Sequence, residues 1–139
     1  MNGYLLDTNI LSEIRKGNRT DPKVRAWYDA VSEDELFISA LNLGEIRRGV
    51  EQARVPDPTK SLHLERWLHG LEALFENRIL PVDARVADEW GRLAWKRPLP
   101  PIDTLLAATA ITHRLTLVTR NTRDVSDTGV QILNPFFPQ

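Results

Sequence analysis

The sequence predicts an α/β fold in which a mostly parallel sheet of about four or five strands is covered by helices on both faces. Short apolar runs alternate with longer amphipathic stretches along the chain, with no repeat, linker or low-complexity segment between them. The length, 139 residues, suits one domain over 1–139. Acids recur where the apolar runs give way to helices or loops: Asp7, Glu45, Asp103 and Asp124.

Each element has its own signal. Tyr4 to Asp7 is a buried first strand, and Asn9 to Gly17 a short helix. Asp21 followed by Pro22 marks a helix N-terminus, predicting a second helix to Ser32. Leu36 to Ser39 is the second strand, and Ser39 or Asn42 can cap a helix that runs to Arg54 with Leu43, Ile46 and Val50 facing the core. Pro56-Asp57-Pro58 breaks the chain before a helix from Thr59 to Asn77, which carries Leu64, Trp67, Leu68, Leu71 and Phe75 on one side. Ile79 to Val82 is an edge strand, because Pro81 has no ladder donor. Ala84 to Arg97 is helical, and Pro98, Pro100 and Pro101 stop it. Asp103 starts an alanine-rich helix through His113, Leu115 to Thr119 is the clearest strand, and Val130 to Leu133 is a last one before a tail kept irregular by Pro135 and Pro138. Trp27, Trp67 and Trp90 fall on core stripes. Trp95 falls off its stripe, where an oligomer contact is one expectation and a partly covered surface side chain the other.

Composition narrows the chemistry. With no cysteine, disulfides, thiolate metal sites and a cysteine nucleophile are excluded. The N-terminus enters a strand-like run directly, so neither a signal peptide nor a membrane span is expected, and a soluble cytoplasmic protein is. A net charge of −1 argues against a generally basic nucleic-acid binder. His63, His69 and His113 lack metal-ligand spacing.

Ligands of open α/β sheets bind beyond the carboxyl ends of the strands, and the four acids would meet there. Carboxylates that close repel one another unless a cation or protons neutralise them, so the set points to a divalent-metal site. Each acid also has an ordinary structural explanation. Asp7 could cap the next helix, although Thr8 or Asn9 could do so instead; Glu45 could pair with Arg48 three residues on; Asp103 sits where a helix cap belongs; Asp124 lies in a loop, where aspartates are common.

Four blocks of sequence decide between these readings. Leu5-Leu6-Asp7-Thr8-Asn9, Ser39-Ala40-Leu41-Asn42-Leu43-Gly44-Glu45, Asp103-Thr104-Leu105-Leu106-Ala107-Ala108-Thr109-Ala110 and Thr119-Arg120-Asn121-Thr122-Arg123-Asp124 resemble, in order, the motif blocks of PIN domains, and most of all those of VapC-type and FitB-like toxins of bacterial toxin–antitoxin pairs. The resemblance spans essentially the whole chain. It implies a three-layer α/β/α sandwich and a metal-dependent ribonuclease leaving a 5′-phosphate and a 3′-hydroxyl. Asp7, Glu45, Asp103 and Asp124 match the acidic positions that hold Mg²⁺ or Mn²⁺, and Thr8 and Thr119 match hydroxyl positions beside them. Asn121 stands where some relatives carry another acid, so Asn121 and Asp124 share or divide the fourth position. Val125 departs from an aromatic common after the last acid.

Asn9 and Thr119 are expected to orient the carboxylates, or simply to serve turns and caps. Arg48, Arg120 and Arg123, with Arg15, Lys16 and Arg47, are candidate RNA phosphate contacts, or a solvated charged face. Expected partners are RNA, a cognate antitoxin covering a groove between the helices around 9 to 17 and 41 to 77, a second copy in a homodimer, and DNA only through the antitoxin; no membrane is expected. The alternative is a non-catalytic binding module, the toxin half of an operator-bound repressor. A phosphoacceptor receiver domain is disfavoured because no lysine follows the Leu115 to Thr119 strand, and no glycine loop cradles a nucleotide.

Overall fold

The computed structural model describes residues 3–95 and 98–137. Within them lie β1 (Tyr4–Leu6), α1 (Thr8–Ile14), α2 (Pro22–Ala30), β2 (Leu36–Ser39), α3 (Ala40–Ala53), α4 (Pro58–Leu74), β3 (Ile79–Leu80), α5 (Ala84–Ala94), α6 (Pro101–His113), β4 (Thr116–Val118), α7 (Thr122–Val125) and β5 (Ile132–Leu133). The strands form one sheet in the order β3-β2-β1-β4-β5, with every pairing parallel. The expected edge strand, β3, does lie at an edge.

Period-two alternation splits the core between the two faces of this sheet. Leu6, Leu36, Ile38 and Val118 meet Ile10, Leu11, Val24, Ile46, Leu68, Leu71 and Phe75 from α1 to α4 and the residue following α4. Leu5 and Leu117 point the other way and meet Leu106, Ala107 and Ala110 of α6 and Val125 of α7. Tyr4 stands opposite both Leu36 and Thr116, so β1 is flanked on each side. Beyond β1 the order reverses, with β2 and β3 on one side and β4 and β5 on the other; the switch point lies between β1 and β4, where such sheets place their ligands.

Three readings are corrected. Trp90 is 37% exposed rather than core: α5 packs chiefly on α6, burying Val86 and placing Leu93 at the edge of the second core. Asp103 does not cap α6, which begins two residues earlier with Pro100 as N-cap and no side-chain cap bond. The stretch holding Asp124 is a one-turn helix, α7, rather than a loop, anchored by Val125 in the core. The expected end of α5 at Arg97 and the tail residue Pro138 lie outside the described residues. Trp27 and Trp67 pack against the first core as expected, and Trp95 is 73% exposed. No helix among the described residues is long and apolar enough to cross a membrane.

Candidate active site

Asp7 follows β1 directly and is only 6% exposed. It is itself the N-cap of α1, the role that Thr8 or Asn9 had been able to fill on sequence grounds, and its Oδ1 accepts from the Thr8 amide at 2.7 Å. Its Oδ2 is free of that duty. Thr119 Oγ1 donates to it at 2.7 Å and Asn9 Nδ2 at 3.3 Å. Thr119 directly follows β4, the neighbour of β1, so one bond between the two strand ends locks the carboxylate at the switch point. Burial raises the Asp7 pKa, and the donors from Thr119, Thr8 and Asn9 act against that rise.

Glu45 is held from the opposite side. Thr8 Oγ1 donates to Glu45 Oε1 at 2.7 Å, and Asn42 Nδ2 donates to Thr8 Oγ1 at 2.9 Å. Asn42 also completes the capping box of α3, its Oδ1 accepting from the Ser39 amide at 2.6 Å. A fully buried asparagine thus fastens the start of α3 to the start of α1 and sets Glu45 beside Asp7's helix. Sequence reasoning offered Asn42 only as a cap; its place three residues after a serine, where a capping box expects Glu or Gln, was the available signal. Glu45 makes no ion pair with Arg48, so the helix-pair explanation fails.

Asp103 lies in the first turn of α6, half-buried. Burial and then the charges of Asp7, Asp124 and Glu45 push its pKa up to about 6. The other three predicted acids are thus near enough to Asp103, at the carboxyl end of the sheet, to act on it. Asn121 is exposed and precedes α7, with its amide donating to Thr119 Oγ1 at 3.0 Å; Asp124 carries the charge that Asp103 feels.

The side chains on offer as ligands present oxygen: the carboxylates, the Thr8 and Thr119 hydroxyls and the Asn121 amide oxygen, while Asn9 turns its Nδ2 to Asp7. His63 and His69 lie on α4 and His113 at the far end of α6. Hard cations such as Mg²⁺ and Mn²⁺ suit such donors. Among the described residues no three acidic or imidazole side chains close into a ready cage. Mg²⁺ typically takes one or two carboxylates and keeps its waters, so an open, mutually repelling set fits it better than an ion needing full protein ligation.

The candidate cations divide. Arg15 and Lys16 stand past the far end of α1 from Asp7, with Arg15 over the Trp67 ring at 4.9 Å and Lys16 bonded to Glu13 at 2.9 Å. Arg47 is paired with Glu51 and Glu65. These three serve structure instead. Arg120 rests over the Phe136 ring at 4.3 Å, while its amide donates to Asn9 Oδ1 at 3.3 Å. Arg48 and Arg123 are exposed.

The raised Asp103 pKa has a direct consequence for stability without metal. The folded state holds a proton that the unfolded chain gives up near 3.8, so stability falls as pH rises from there through about 6 and stays at the lower level above. Asp103→Asn is neutral throughout. In chelator, its melting midpoint should match the parent's near about pH 4 and exceed it increasingly towards about pH 7. Parallel curves for the two proteins would contradict the crowding of the acids.

A family model described as PIN domain matches residues 4–130. Toxin FitB of Neisseria gonorrhoeae is 32% identical over 137 residues, covering 95% of this chain and 97% of that protein. The VapC ribonuclease Y4jK of Sinorhizobium fredii is 32% identical over 141 residues, covering 96% and 98%. Among solved structures, the chain is similar to one in the structure of FitAB bound to IR36 DNA fragment, with a TM-score of 0.84, 31% identity and coverage of 98% and 97%.

Proposed function

The chain belongs to the PIN domain family, and from that membership we propose that it is a metal-dependent endoribonuclease, the toxin of a toxin–antitoxin pair. The observation that carries this reading is the pair of carboxylates held at the switch point, Asp7 by Thr119 and Glu45 by Thr8, beside Asp103, whose pKa is raised by burial and then by the charges of Asp7, Asp124 and Glu45. A relative of similar length is named a ribonuclease, and another a toxin.

Asp7, Glu45, Asp103 and Asp124 are the carboxylates that would hold Mg²⁺ or Mn²⁺. The ion, when bound, supplies a Lewis acid that makes water more acidic and offsets charge building on the phosphate during in-line hydrolysis. The chain's own part is placement. Thr119 and Asn9 keep Asp7 Oδ2 turned to the switch point, and Thr8, steadied by Asn42, keeps Glu45 alongside. Arg48, Arg120 and Arg123 would take flanking phosphates of the RNA.

The antitoxin would lie in an apolar groove of about 240 Å³ between α1, α2 and α4, lined by Leu11, Ile14, Trp67, Leu71 and Leu74. DNA would be reached only through that partner; the similar FitAB structure is one bound to a DNA fragment. Exposed Trp90 and Trp95, on and just after α5, would serve a second copy of the chain in a homodimer. Cytoplasmic location fits this role.

The test is to incubate the purified protein with mixed RNAs in Mg²⁺ or Mn²⁺, then with chelator. Cleavage that chelator stops is the expected result. A folded protein inert under every metal condition would favour the non-catalytic half of an operator-bound complex. The ion should also stabilise the fold by about 2.7 kcal/mol at a hundredfold excess over its Kd, because the unfolded chain scatters the acids. A melting midpoint indifferent to millimolar Mg²⁺ and Mn²⁺ would count against the site.

A further inference from the structure

A second recess opens beside the acids. It has a volume of about 290 Å³ and is walled mainly by Leu41, Val82 and Ile102, with Glu45 and Arg48 as its polar residues. Glu45 belongs to both places: its Oε1 accepts from Thr8 within the acidic cluster, and the same residue lines the recess. Anything seated there touches the site where the bond is cut. The size is at the low end for small-ligand pockets, about 300 to 1,000 Å³, which suits one planar group.

Two further features leave room and charge for an occupant. Arg48 forms no hydrogen bond or ion pair with any described residue, whereas Arg47 beside it is paired with Glu51 and Glu65. Gly44 lies inside α3 and lines the recess. Glycine is a poor helix former there, and a Cβ at this position would meet nothing within 4 Å of this chain. Internal packing therefore does not call for a glycine. Without a side chain there, the helix backbone is open to the recess.

Building on the ribonuclease reading, we propose that this recess receives one unstacked base of single-stranded RNA next to the bond that is cut, while Arg48 holds the adjoining phosphate. Apolar walls accept the faces of a base, and Glu45 and Arg48 offer an acceptor and donors to its edge or to the backbone. Unstacked bases of single strands offer their faces and edges to a protein. Duplex RNA hides its bases and would not fit.

The experiment uses Asp103→Asn protein, which is expected to bind RNA without cutting it. A short fluorescent single-stranded RNA is compared by anisotropy with counterparts carrying an abasic ribose at each position in turn. Removal of one particular base should weaken binding roughly tenfold, on the scale of a single buried base contact. Adding Gly44→Ala, or Ala40→Leu on the exposed wall of the recess, should erase that difference, with melting midpoints no lower than the parent's. The proposal is overturned if no position shows the effect, if it survives both filled variants, or if the variants lose a dimer on sedimentation yet keep base dependence, which would give the recess to a second copy. If base-dependent binding behaves as expected but the unmutated protein cuts no RNA in Mg²⁺ or Mn²⁺, the ribonuclease reading fails alone.

Discussion

Asp7→Asn is expected to abolish metal-dependent RNA cleavage while leaving the protein folded. Asn is as good an N-cap as Asp, so α1 keeps its start, and the Thr8 amide keeps an acceptor. What disappears is the charge on the carboxylate that Thr119 and Asn9 hold in place. In the parent, burial already disfavours that charge, so removing it relieves the metal-free fold. The melting midpoint in chelator should be unchanged or higher, and Mg²⁺ should no longer raise it. A folded Asp7→Asn protein that cleaves RNA at the parent rate would remove Asp7 from the reaction. A protein that unfolds would show that the bonds Asp7 Oδ2 accepts from Thr119 and Asn9, which an amide nitrogen cannot accept, matter more than the charge.

Phe75→Ala should cost about 3 to 5 kcal/mol of stability, much of what a domain of this kind has. Phe75 is 1% exposed and sits where α4 closes over the first core. Its ring also lies 4.8 Å beneath the Arg78 guanidinium, which donates to the carbonyls of Glu33, Leu36 and Leu74 and ties the end of α4 to the entry of β2. Truncation leaves a cavity and loosens that tie. Urea denaturation reads the loss as a lower midpoint at unchanged slope. A shift under 1 kcal/mol would mean that this end of the core collapses onto the gap.

Much of the architecture was legible because local rules and global fold agree. Buried strand runs such as Leu36 to Ser39 and the Asp21-Pro22 helix start are read from neighbouring residues alone, and both occur where expected. The misreadings share a different cause. Trp90 has the spacing of a core residue, but which helix touches the sheet is decided by packing between α5 and α6, which spacing does not encode. Asp103 has the position of a cap, yet three prolines let α6 begin earlier, which freed the carboxylate from capping. The acids themselves were visible as a recurrent pattern at element joints. Asn42 and the recess beside Glu45 were not, because each depends on how α3 meets other elements: α1 through the Thr8 hydroxyl for Asn42, and Val82 and Ile102, distant in sequence, for the recess.

The bond from Thr119 to Asp7 joins residues 112 apart in sequence. A ribosome making this chain releases β1 first and β4 nearly last, so Asp7 waits through most of synthesis for the strand that fixes it. A chain made only as far as β3 therefore carries Asp7 and Glu45 but not Asp103, Thr119 or Asp124. The central position of β1 between β2 and β4 thus makes the geometry of Asp7 a late product of folding, since it needs the pairing with residues 116–118 and the hydroxyl that follows them.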